Sequence, residues 1–115
     1  MNLPRTGYRE LLLLLLRRRK RLKVVGRSMY PTLKPGDEIL LDPYAYRQNL
    51  PQADDLIVTM HPCQNNLAIV KRIDFIDVKG NYFLIGDNPL ASTDSREWGA
   101  IALEDIRGKV TSLFC

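Results

Sequence analysis

The chain has 115 residues, 45% hydrophobic and 26% charged, with a formal net charge of +4; this suits one domain with a modest core and excludes a low-complexity or disordered polymer. Residues 1–27 hold nine Lys or Arg against one acid, while the remaining 88 residues carry −4, so only the N-terminal arm is basic. Two cysteines, Cys63 and Cys115, exclude a disulfide framework, and His61 with Cys63 offers too few ligands for zinc. Neither a metal nor another cofactor is expected.

In YRELLLLLLRRRKRLK (8–23) the basic run follows the leucines, the reverse of a secretory leader. Six helical leucines rise about 9 Å against the ~30 Å hydrocarbon core of a bilayer, so the run cannot span one. Residues 1–23 are read as a basic Leu/Arg-rich arm or helix ahead of a domain at 24–115. Such an arm suits packing on the domain, solvation, or peripheral contact with an anionic membrane.

From Val24 onward the chain reads as strands separated by turn chemistry. LKPGDE (33–38) opens the apolar run Ile39–Leu41, which Asp42-Pro43 closes. DLIVTM (55–60) is a second run, stopped by His61-Pro62, and LAIVKRIDFIDV (67–78) a third. Gly80-Asn81 between apolar stretches predicts a hairpin, and 109–114 a last strand. The expected fold is mainly β, of short antiparallel strands, closed or half-closed, with a short N-terminal helix. His61 reads as a turn residue, Tyr82 and Trp98 as packing, and Asp54, Asp55, Asp74 and Asp77 as solvated charges.

Two residues stand out chemically. Ser28 lies between a glycine-led approach and a proline-led exit, and the single histidine is remote from it in sequence. In the third run, alternation puts Ile69, Lys71 and Ile73 on one strand face. If that face is the core side, desolvation lowers the Lys71 pKa from about 10.4 and frees a neutral amine as a general base. Alone, either residue reads more simply as a turn serine or an exposed lysine.

Three segments in order, GRSMYPTLKPGD (26–37), AIVKRI (68–73) and GDNPLASTDSREWG (86–99), resemble the signature blocks of the type I signal peptidase superfamily, the serine–lysine peptidases. Self-cleaving repressors share that half-closed β fold but lack the third block. The resemblance implies Ser28 as nucleophile, Lys71 as base and Ser92 as the hydroxyl orienting Lys71. Asp94 and Arg96 match a structural ion pair. The Ser28 backbone N–H is a natural oxyanion donor, and Gly26 stands where some bacterial members place an extra serine donor. Met29, Leu33 and Ile69 are expected to line a shallow apolar pocket for a substrate bound as an added strand.

The short form, without a membrane anchor or β insertions after the lysine block, is most similar to the nickel-type superoxide dismutase maturation proteases. This implies a cytoplasmic serine endopeptidase that trims a short leader from the nickel superoxide dismutase precursor. It would itself need no metal and no nucleic-acid partner. The alternatives are a compact signal peptidase cleaving exported precursors at a membrane, and a non-catalytic module using RRRKRLK on nucleic acid or anionic lipid.

Overall fold

A computed structural model describes residues 3–114. Helix α1 (Tyr8–Leu15) is followed by strands β1 (Lys20–Lys23), β2 (Glu38–Asp42), β3 (Leu56–Met60), β4 (Ala68–Ile76) and β5 (Tyr82–Ile85). A short helix α2 (Ser95–Trp98) and a 3-10 turn, Leu103–Asp105, precede β6 (Ile106–Phe114). The fold is mainly β with a short N-terminal helix, as the sequence predicts. Its last strand begins three residues earlier than expected, directly after the 3-10 turn.

Turn chemistry sets the strand boundaries. Gly36 adopts φ +90°, and the Lys34 N–H donates to the Asp37 carboxylate at 2.8 Å, which launches β2. In the β4–β5 hairpin Gly80 has φ +81°, while Asp77 Oδ1 accepts from the N–H groups of Lys79 and Asn81 at 2.9 Å each. Asp77, read from composition as a solvated charge, therefore holds that hairpin. Asp55 is likewise engaged, accepting from Tyr46 Oη at 2.7 Å and from the Gln52 N–H at 3.1 Å.

The six strands form one antiparallel sheet in the order β1-β2-β6-β3-β4-β5. Both faces are covered, because alternate residues of β3 enter different clusters. Leu56 and Val58 join Val24, Met29, Leu33, Ile39, Leu41, Val70 and Val110. Ile57 joins Ile73, Tyr82, Leu84 and Ile101, with Trp98 packed against them. Burial on two sides explains why the β3 run is continuously apolar rather than alternating.

The basic arm is partly woven into this sheet. Lys20–Lys23 pairs with β2, Leu22 opposite Ile39, as a charged edge strand. Pro4–Thr6 lies along the end of β6, where Thr6 N–H donates to Leu113 O at 2.8 Å and Leu113 N–H to Pro4 O at 2.7 Å. The Glu10 carboxylate accepts from Arg19 Nε at 3.1 Å and from the Thr111 hydroxyl, fastening α1 to β6. Among the described residues no helix is long and apolar enough to cross a membrane.

Candidate active site

Lys71 sits mid-strand in β4, directly opposite Ile57 of β3 and one pleat from Ile73. The condition set by the sequence is met, since this face of β4 lies on the core side and Lys71 is 3% exposed. Burial pushes its ammonium pKa down; the Asp94 carboxylate works against that shift and the Arg96 guanidinium with it.

Among the described residues the amine has one hydrogen-bond partner, Ser92 Oγ at 3.1 Å. Ser92 Oγ in turn donates to Asp94 Oδ2 at 2.8 Å. Asp94 is fully buried and caps α2, accepting from Arg96 N–H (3.1 Å), Arg96 Nε (2.9 Å) and Arg96 Nη2 (2.7 Å). Gly86 N–H adds a further bond to Asp94 Oδ2 at 2.9 Å. Burial opposes ionisation of Asp94, but these bonds outweigh it and hold the carboxyl well below the usual range. A fixed anion thus accepts from Ser92, and Ser92 accepts from the amine.

Ser28 is half-buried in a turn held by Tyr30 N–H to Arg27 O (3.1 Å) and Leu33 N–H to Met29 O (2.9 Å). Two bonds from Asn88 draw this turn to the Lys71 side. Its backbone N–H donates to Ser28 O at 2.8 Å, and its side chain donates to Arg27 O at 3.1 Å. Gly86 marks how closely the parts meet, since a Cβ there would lie 2.2 Å from Ser92 Oγ and 2.6 Å from Ser28 O. Among the described residues no hydrogen bond joins Ser28 Oγ to Lys71 Nζ, and the Ser28 N–H has no protein acceptor. Gly26 has φ +80° with nothing within 4 Å of a built Cβ, so conformation rather than crowding requires glycine there.

A second ion pair, which sequence reasoning did not assign, lies on the other face of β4. Arg72 Nε and Nη2 donate to Asp87 Oδ1 and Oδ2, both at 2.8 Å, and Thr32 Oγ1 donates to Asp87 Oδ2 at 2.6 Å. Arg72 Nη1 reaches Asp54 O at 3.0 Å. Each partner adjoins a site segment: Arg72 follows Lys71, Asp87 follows Gly86, and Thr32 closes the Ser28 turn. The signal was present as a cation beside Lys71 and an anion in Gly-Asp-Asn, but only the fold pairs them.

Met29 and Leu33 are 1% and 0% exposed and belong to the core with Leu56, Val58 and Val70. The Met29–Leu33 turn points both inward, where they pack in the core cluster next to the Ser28 turn. Ile69 keeps partial exposure on the Lys71 face. A cavity of about 600 Å³ lined by Tyr46, Leu50, Asp55, Arg72 and Lys109 includes neither Ser28 nor Lys71.

Fold and site together define a β domain that buries one lysine amine against a serine hydroxyl and its carboxylate. The chain matches the family described as "Signal peptidase, peptidase S26" over residues 11–74 and 78–115, and it belongs to that family. It is also similar to thylakoidal processing peptidase 1, chloroplastic, of Arabidopsis thaliana, at 25% identity over 128 aligned residues. That alignment covers 71% of this chain and 38% of the relative, so the chain spans well under half the relative's length.

Proposed function

We propose that the chain is a serine endopeptidase that removes an N-terminal leader from a precursor protein, with Ser28 as nucleophile and neutral Lys71 as general base. The observation that carries this reading is the buried Lys71 amine, held by Ser92 beside the loop that bears Ser28. The reading requires Ser28 Oγ to come within hydrogen-bond reach of the amine when substrate is bound. Lys71 takes the hydroxyl proton as Oγ adds to the scissile carbonyl, and the Ser28 N–H receives the developing oxyanion. Lys71 then gives that proton to the departing amine, and the C–N bond breaks. The acyl-serine ester remains. Water, deprotonated by the same amine, adds to the ester; as the C–Oγ bond breaks, Lys71 returns that proton to Ser28 Oγ, and the neutral amine and free hydroxyl are restored. Asp94 and Arg96 act through Ser92, as positioning groups.

The preferred substrate is the nickel superoxide dismutase precursor, on the strength of the short three-block pattern with GDNPLASTDSR as its last part. A second reading, cleavage of exported precursors, draws support from the likeness to a thylakoidal processing peptidase. Co-expression with the dismutase precursor tests both, with product N-termini read by mass. The wild-type chain is expected to trim the precursor, and folded Ser28→Ala and Lys71→Ala variants to leave it intact. Processing by either variant overturns the dyad; an uncut dismutase precursor beside a trimmed exported one overturns the substrate. Ser92→Ala should slow cleavage without abolishing it, and wild-type rates would remove Ser92 from the machinery.

A further inference from the structure

We propose that the outer face of α1 and the arginine cleft at its C-terminal end form one docking surface for an anionic lipid bilayer. Tyr8, Leu11, Leu12 and Leu15 occupy positions i, i+3, i+4 and i+7 and are all exposed, Tyr8 at 93% and Leu15 at 73%. Leu16 continues the stripe, while Leu13 and Leu14 are half-buried on the side of Glu10. The fold therefore turns a leucine face outward, and it does so firmly. Pro4–Thr6 is hydrogen-bonded along β6 before the helix, and Glu10 is tied to Thr111 and Arg19. An apolar stripe of this width on one side of a tethered helix calls for a cover.

The charge beside it names the cover. Exposed Arg5, Arg9, Arg17 and Arg18 flank the stripe. Arg18 N–H donates to Leu13 O at 2.7 Å, so its backbone caps the C-terminal end of α1. From there Arg18 enters a cleft of about 640 Å³ that it shares with Arg19, Tyr44, Arg47, Gln48 and Asn49. The Arg47 guanidinium stacks 4.3 Å from the Tyr44 ring centre, and that of Arg18 lies 5.9 Å from it. Asp42 also borders the cleft, 3.4 Å from Arg19, which it shares with Glu10, so these three groups together carry one negative charge against Arg18 and Arg47. Arg18 and Arg47 have no carboxylate partner among the described residues.

Two unpaired guanidinium groups held on an aromatic ring suit a phosphate diester, and the adjoining leucines suit acyl chains. A lipid surface meets both demands together. Free phosphate would fill only the cleft, and a second copy would bring two basic arms face to face. The proposal does not rest on Ser28 or Lys71.

Co-sedimentation of the substrate-free chain tests it, using vesicles of phosphatidylcholine alone or mixed with phosphatidylglycerol, at low and raised salt. Binding is expected to the mixed vesicles only and to fall as salt rises. Arg18→Ala and Arg47→Ala should each weaken it about fivefold. The double variant Leu12→Glu/Leu15→Glu, with unchanged circular dichroism, should abolish it. Failure to bind the mixed vesicles, or equal binding to both kinds, overturns the proposal. So does self-association that the leucine variant relieves, which would make a second copy the occupant. Vesicle binding unchanged in both arginine variants, with inorganic phosphate lost from the cleft, would leave a free-anion site and remove the lipid headgroup from it.

Discussion

Lys71 is placed where its ordinary charge is least welcome, and that placement fixes two measurable behaviours. Its folded pKa lies below the unfolded value of about 10.4, so between the two the unfolded chain binds more protons. Stability from this group therefore rises with pH across that window, and below it the buried charge imposes its full penalty. Lys71→Met should be inactive yet melt higher at pH 7 by about 4 °C for each kcal/mol regained, a gain that shrinks near pH 10. Thermal melts at the two pH values check this; a variant that melts lower at both would show that the amine is not strained. The acid limb of kcat/KM should likewise fall below the ordinary lysine range. Gly86 offers a steric counterpart. A methyl there meets the Ser28 backbone at 2.6 Å, so Gly86→Ala should lose activity and about 1–3 kcal/mol of stability. Urea unfolding with a peptidase assay reads both, and an active, fully stable variant would refute the close approach.

At the scale of elements, β4 carries the site on one face and its brace on the other. The same strand turns Lys71 toward Ile57 and Ile73 and turns Arg72 toward Asp87 and Thr32. Burial opposes ionisation of Asp87, but the bonds from Arg72 and Thr32 prevail and hold its carboxyl below the usual range. Asp87→Asn leaves Arg72, at 17% side-chain exposure, without its counter-charge. A stability loss of about 2 kcal/mol is expected. Activity should fall further than the folded fraction explains, because Asp87 joins the Gly86 segment, the Ser28 turn and the lysine strand. Unchanged kcat/KM in a folded Asp87→Asn variant would reduce the brace to a stability element. The alternation that exposed Lys71 as unusual was legible over 67–78, yet nothing local showed that Arg72 faces an aspartate fifteen residues later. Nor did RRRKRLK announce an edge strand, since four basic-rich residues enter the sheet only because β2 offers them an open edge.

Across the whole molecule, three carboxylates act as acid-sensitive ties. Asp94 joins α2 to Ser92 and Gly86, Asp87 joins β4 to the Ser28 turn, and Glu10 joins α1 to β6. All three have lowered folded pKa values; for Glu10 burial is again the opposing influence, outweighed by Thr111 and Arg19. Their contribution is complete above the unfolded values near 4 and drains away as pH falls toward the folded ones. The urea midpoint should therefore drop steeply below about pH 4, and Asp94→Asn should flatten that slope. A midpoint constant from pH 4 down to 2 would contradict the ties.

Local sequence determined the turns, the apolar strands and the candidate residues in their three blocks, because Gly-Asp pairs, period-two alternation and motif spacing are properties of neighbouring residues. Tertiary structure decided what those residues meet. Burial on both faces of β3 and β4 made Lys71 a desolvated amine and made Met29 and Leu33 core. The fold alone brought Ser92, Asp94 and Gly86 around it, set Arg72 on Asp87, and turned the leucines of α1 to the outside. Each of those outcomes depends on strands far apart in the chain closing into one sheet, and no stretch of neighbours encodes that closure.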